Sequence, residues 1–279
     1  LSIGSEWDLA SPGLVEHATE KGWCRSRDEF HFARCYSDFL YTRLDGCRIR
    51  RQRSTELLEA QKGHVTVETM LGILRDHGPR AVNNPRWHPG KGLVMDALCV
   101  HASLLPTQPS QATGSLVAHL APDLPTYWVT GTSTPCTSIF KPVYLGGAGL
   151  PNLGREPTGL YDPESLWWTH ERLHRAVIHD YPTRMPMYRE ERDAQEAQFL
   201  SEAAEMYEKY RRVSPEERAR PLAAFTKSCF KRAAVATDAW TTVVSSAPRR
   251  RRPSTSFSLA WSVFNRRAKF APKRRRRAK

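Results

Sequence analysis

Residues 111–145, QATGSLVAHLAPDLPTYWVTGTSTPCTSIFKPVYL, constrain the fold more than any other part of the chain. Short alternating apolar and polar stretches are separated by turns that Pro122, Pro125 and Pro135 mark. Connections this short join neighbouring antiparallel strands, so the block reads as a meander. Residues 93–105 read as a strand ahead of it. Four strands are therefore expected, over 93–105, 113–121, 126–132 and 138–145. In the second, Leu116, Ala118 and Leu120 share one face and Ser115, Val117 and His119 the other. One covered face and one only partly polar face call for helices against the sheet. Two dense polar motifs, Thr130-Gly131-Thr132 and Cys136-Thr137-Ser138-Ile139-Phe140-Lys141-Pro142, exceed what an ordinary sheet needs.

The flanks read as helical. Residues 12–22 carry a short stripe of Leu14, Val15 and Ala18, stopped by Gly22. An aromatic stretch over 23–43 is a loop followed by a helix. Residues 48–61 form a basic helix with Leu57 and Leu58 facing inward. Thr66 is the expected N-cap of a helix over 67–77, with Val67, Met70, Leu71 and Leu74 on its buried face and Gly78-Pro79 as its stop. Beyond a Gly/Pro linker over 146–160, Asp162-Pro163 opens a helix to about residue 179. A long Glu/Arg/Ala-rich helix covers 187–212. Ser214-Pro215-Glu216-Glu217 is a capping box for the last, to about residue 244. The fold class expected is α+β: an antiparallel sheet with covering helices over 1–160, a helical region over 161–247, and a basic, partly disordered tail over 248–279.

A net charge of +13 suggests a nucleic-acid partner until it is mapped. Thirteen of the 42 Lys and Arg lie in 249–279, which has no acidic residue; the remaining 29 balance the 29 Asp and Glu. The body is neutral. The runs 249–252 and 274–277 offer at most a non-specific, salt-sensitive polyanion contact. Between them Phe257, Trp261 and Phe264 share a helical stripe suited to docking on the body. Six Cys with no C-x-x-C pair fit a reducing, cytoplasmic setting rather than a disulfide framework.

Several residues are candidates for chemistry. His170-Glu171-Arg172-Leu173-His174 is a literal H-E-x-x-H on an expected helix, which puts both imidazoles on one face with Glu171 as general base for zinc. Arg172 beside the metal position, and the lack of a nearby third ligand, argue against it. No metal or cofactor is expected. Cys99 and His101 alternate on an expected strand and share a face, the arrangement of a Cys/His dyad. Cys136 lies in a Thr/Ser-rich turn. Both thiols also suit plain packing. Arg48, Arg50, Arg51 and Arg53 form a solvated helix face from which one guanidinium can turn inward to a substrate carboxylate.

In order and spacing, several motifs resemble the secernin-type dipeptidases, cysteine peptidases of the N-terminal nucleophile hydrolase superfamily. Pro12, Leu14, Ala18 and Gly22-Trp23 match one pattern, followed by Phe30-x-Phe32. Val65-Thr66-Val67-Glu68-Thr69-Met70 with Ile73-Leu74-Arg75-Asp76 is similar to the family's helix. Thr113-Gly114-Ser115, Thr130-Gly131-Thr132 and Ser138-Ile139-Phe140-Lys141-Pro142 are similar to its strand signatures. The likeness covers about residues 1–179.

The resemblance implies part of an αββα sandwich and a reaction in which an N-terminal Cys attacks a peptide carbonyl. That nucleophile is expected in a missing N-terminal half of the same protein, and this chain alone is expected to be inactive. By distant similarity to cholylglycine hydrolases, Arg48 supports the nucleophile. Arg51, Thr130 and Thr132 are expected on the substrate side. The expected partners are a short peptide, the missing half and another copy of the chain in a homo-oligomer. The alternative function is a non-catalytic secernin-like interaction protein; a zinc metallopeptidase built on His170, Glu171 and His174 ranks below it.

Overall fold

The computed structural model describes residues 9–38, 46–82, 84–90, 95–103, 108–145 and 150–270. The chain divides into two units, Leu1–Arg48 and Ile49–Lys279. In the first, helix α1 (Leu14–Glu20) starts at Gly13, whose φ of 75° is a left-handed conformation that costs glycine little. Its Val15 and Ala18 bury against Phe30 and Cys35, the latter on α2 (Phe32–Cys35). The Tyr36 hydroxyl donates to Leu14 O at 2.6 Å and closes this small cluster.

Helix α3 (Cys47–Glu59) follows and buries no residue. Leu58 is exposed, so the inward face expected of Leu57 and Leu58 does not form. The helix has too few apolar side chains to make a continuous stripe. Helix α4 (Val67–Leu74) begins where expected. The Thr66 side chain accepts from Thr69 N, and Thr69 returns the bond to the Thr66 backbone. Leu71 and Ile73 are its buried residues.

The sheet has three antiparallel strands in the order β1 (Leu116–His119), β2 (Thr126–Val129), β3 (Lys141–Val143). Val117 faces Trp128, which faces Pro142. Pro142 is tolerated because β3 is an edge. Leu116 and Leu120 are exposed while Val117 is buried, so the less apolar face of β1 meets the core. The strand expected over 93–105 is not formed by residues 95–103. That segment is pinned instead by single bonds from Cys99 N to Asp76 O, Ala112 N to Val100 O and Ser103 N to Gln108 O.

The helical part continues with α5 (Leu166–Ile178), α6 (Tyr181–Arg184), a 3-10 turn at Met185–Met187, α7 (Arg189–Tyr210) and α8 (Pro215–Ser246). Ser214 caps α8 by accepting from Glu217 N. The expected boundary near residue 160 does not separate cores. Leu173, Val177, Phe199 and Trp240 share one with Trp128, Ile139 and Phe140. Within the expected tail, Ser254 caps α9 (Thr255–Arg267), whose Phe257 and Trp261 bury against Ala102 and Ile178. Trp261 Nε1 donates to Ala102 O at 2.9 Å. Each such ring contributes roughly 1.5–3 kcal/mol by leaving water, which holds the helix down despite its basic flanks. No described helix is long and apolar enough to cross a membrane. The fold is α+β.

Candidate functional site

Three segments meet below the end of α4. His77 follows the helix by three residues. Asp76 O accepts from Cys99 N at 2.9 Å, which brings the 95–103 segment alongside. The Asp76 carboxylate takes two bonds from Arg53, at 3.0 and 2.8 Å, and one from Gly78 N at 2.8 Å. Burial works against its charge, but these donors hold the carboxyl below its usual range. Trp87 stacks on His77 with ring centroids 4.1 Å apart. The third segment is the turn at 134–138, where Thr134 O accepts from the N–H groups of Thr137 and Ser138 at 3.0 Å each. Its carbonyls are clamped from below: Arg75 donates to Pro135 O at 2.8 Å, and Arg192 donates to Cys136 O.

His101 Nε2 lies at the meeting point. It is 3.5 Å from Cys99 Sγ, 3.3 Å from Cys136 Sγ and 3.1 Å from His77 Nε2. Cys99, His101 and Cys136 are buried, and His77 is half-buried. Among the described residues, these four form the one group of metal-ligand side chains whose donor atoms all lie within 4.8 Å of one another. Burial, then the neighbouring Cys136, pushes the Cys99 thiol well up. Burial opposes the Cys136 thiolate as well, but a hydrogen bond from Cys99 and the facing imidazoles drive that thiol well below its usual value. His101 is pushed down by burial. Its Nδ1 is buried with no hydrogen-bond partner among the described residues.

His77, Cys99 and His101 also line a cavity of about 570 Å³, within the size of small-molecule sites. Its other walls include Arg53, Arg80, Trp87, Asn84, Met95 and Asp96. Two guanidinium groups (that of Arg53 already paired with Asp76), one carboxylate, side-chain amides and an aromatic face are thus offered to a single small ligand.

The residues expected at the site are placed otherwise. Arg48 and Arg51 are exposed on α3; the arginine of that run that reaches the cavity wall is Arg53. Thr130 and Thr132 are fully buried. Thr130 Oγ1 accepts from Ser115 N at 2.9 Å, and Thr132 Oγ1 pairs with Ser138 Oγ at 2.8 Å, so both tie strands together. Lys141 is buried too, donating to Thr130 O at 2.8 Å and Ile139 O at 3.0 Å. The Thr-Gly-Thr and Ser-Ile-Phe-Lys-Pro motifs thus form a buried hydrogen-bonded network between the end of β2 and the start of β3.

His170, Glu171 and His174 do lie on one helix, but their donor atoms do not gather as a metal-ligand group, and each is engaged by a neighbour through one end. Glu171 accepts from Arg175 at 2.8 Å and pairs with His174 Nδ1 at 3.1 Å; His170 Nδ1 pairs with Thr237 at 3.1 Å. A carboxylate held by an arginine is a poor general base. The sequence singles out Cys99, His101 and Cys136 but not His77, which has no short-range signature. Its partners lie 22, 24 and 59 positions away.

No protein-family model matches this chain, and no solved structure matches it.

Proposed function

We propose that this chain is the substrate-holding part of a cysteine-type dipeptidase of the secernin kind, in which its sheet belongs to one half of an αββα sandwich. The observation that carries the reading is the cavity with Arg80 and Asp96 both on its wall. A dipeptide is a zwitterion whose charged ends sit a few bonds apart. Arg80 suits its carboxylate through a bidentate fork, and Asp96 suits its ammonium. Trp87 and Met95 offer apolar surface to the side chains.

The thiols of this chain are not assigned the chemistry. Cys99 lines the cavity but is fully buried with its sulfur 3.5 Å from His101 Nε2, and Cys136 is buried 3.3 Å from the same nitrogen. The nucleophile then belongs to a further segment of the same protein, which the family resemblance implies to be an N-terminal Cys. Six free cysteines agree with a reducing, cytoplasmic setting.

The test is calorimetric titration of the purified chain with unmodified dipeptides and with their N-acetylated and C-amidated forms. Free dipeptides are expected to bind. Capping either end, or Arg80→Ala, weakens binding by about 10-fold or more, the usual loss for a charged hydrogen bond. The chain alone is expected not to hydrolyse them. Absence of binding by any dipeptide overturns the reading and favours a non-catalytic interaction protein. Hydrolysis that Cys99→Ala abolishes places the nucleophile within this chain instead.

A further inference from the structure

His101 Nε2 has three polar neighbours within 3.5 Å, yet an imidazole nitrogen offers either one N–H or one lone pair. Hydrogen bonding satisfies one of them at most. Four donor atoms that all lie within 4.8 Å of one another instead suit a coordinated cation. With metal–N near 2.0–2.1 Å and metal–S near 2.3 Å, a tetrahedral site has N···N edges of about 3.3 Å and N···S edges of about 3.6 Å. The observed N···N separation is 3.1 Å and the N···S separations are 3.5 and 3.3 Å.

We propose that His77, Cys99, His101 and Cys136 hold one zinc ion in a closed, four-coordinate structural site. Two soft thiolates and two imidazoles in a tetrahedral set select zinc over the oxygen-preferring cations. Two thiolate charges also balance a divalent cation, which answers the cost of burying it. With four protein ligands no position is left for water, so the ion holds rather than reacts. It fastens the end of α4, the 95–103 segment and the 134–138 turn to one another. The first two of these pieces supply His77, Cys99 and His101 to the cavity wall, and no sheet ladder joins the described residues of the three. The cavity itself, which His77, Cys99 and His101 line, is the route of entry. The site stands on these distances and does not depend on the peptide reading.

The experiment uses the whole chain, purified without chelator. Elemental analysis is expected to find one zinc per chain, and stripping it with a chelator lowers the melting temperature. Exchange for cobalt(II) gives visible bands of a tetrahedral ion and a thiolate-to-cobalt charge-transfer band. Cys99→Ser and Cys136→Ser each lose about half of that band, because each removes one of two thiolates. His77→Gln, at the least buried of the four positions, weakens zinc retention and keeps the test usable if the cysteine variants do not fold. A chain that neither carries zinc nor gives the charge-transfer band with cobalt overturns the proposal. So does a full band in the Cys99→Ser/Cys136→Ser double variant, or a denatured mass lower by two hydrogens from a Cys99–Cys136 disulfide. Dipeptide titrations report separately on the cavity, so failure of one reading leaves the other standing.

Discussion

The Nε2 atoms of His77 and His101 lie 3.1 Å apart although 24 residues separate them. Trp87 stacked on the first ring and His174 stacked on the second, at a centroid distance of 5.9 Å, keep both imidazoles facing inward. Rings held this way are pre-oriented.

The buried Lys141 makes stability depend on alkaline pH. Burial lowers its pKa from 10.5 to about 7, with nearby Glu196 acting against the fall. Between those values the unfolded chain binds more protons than the folded one, so this lysine makes stability rise with pH. Below about pH 7 its penalty is fully present. Urea midpoints for wild type and Lys141→Met at about pH 7.5 and about pH 9 are expected to differ in slope by up to about 1.4 kcal/mol per pH unit. Equal slopes refute the assignment.

Arg75 and Glu196 form a buried pair, with guanidinium–carboxylate distances of 2.6 and 2.7 Å, and Glu196 also accepts from Phe140 N at 2.8 Å. Glu196→Ala strands both donors and is expected to cost about 3–5 kcal/mol. Removing Arg75 as well adds less than its own single effect, because the ion pair is common to both losses even though Arg75 also donates to Pro135 O and Ser138 O. A double-mutant cycle by urea unfolding measures this, and strict additivity contradicts it.

Trp261→Ala is expected to cost about 3–5 kcal/mol, since it empties a buried site and leaves Ala102 O without its donor. The variant frees α9, so limited proteolysis cuts first within residues 250–270. Unchanged stability and cleavage pattern show that the helix is not anchored there.

Glu171→Ala tests the H-E-x-x-H segment. Glu171 is fully buried, which raises its carboxyl, but the facing His174 and Arg175 outweigh burial and hold it low. Its removal is expected to destabilise the chain by about 3–5 kcal/mol. Zinc content stays unchanged in the folded fraction, measured by elemental analysis. Loss of zinc with unchanged stability makes this helix the metal site.

The sequence by itself determined the local features. Thr66 caps α4 and Ser214 caps α8 through bonds three residues long, and the Pro-punctuated meander follows from connections too short for anything but antiparallel pairing. It also located the buried strand motifs, because their density of Thr, Ser and Lys exceeded what a sheet surface needs. Only the tertiary structure decided their role. Thr130, Thr132 and Lys141 bond to the sheet itself, and Arg53 rather than Arg48 or Arg51 reaches the cavity. It likewise chose Val117 over Leu116 for the core, since burial follows which face the helices cover, not which is more apolar. The convergence of His77, Cys99, His101 and Cys136 left no pattern in the sequence beyond the alternating Cys99 and His101. Residues brought together across 24 and 35 positions meet through packing and loop closure, and neither imposes a fixed spacing that can be read along a chain.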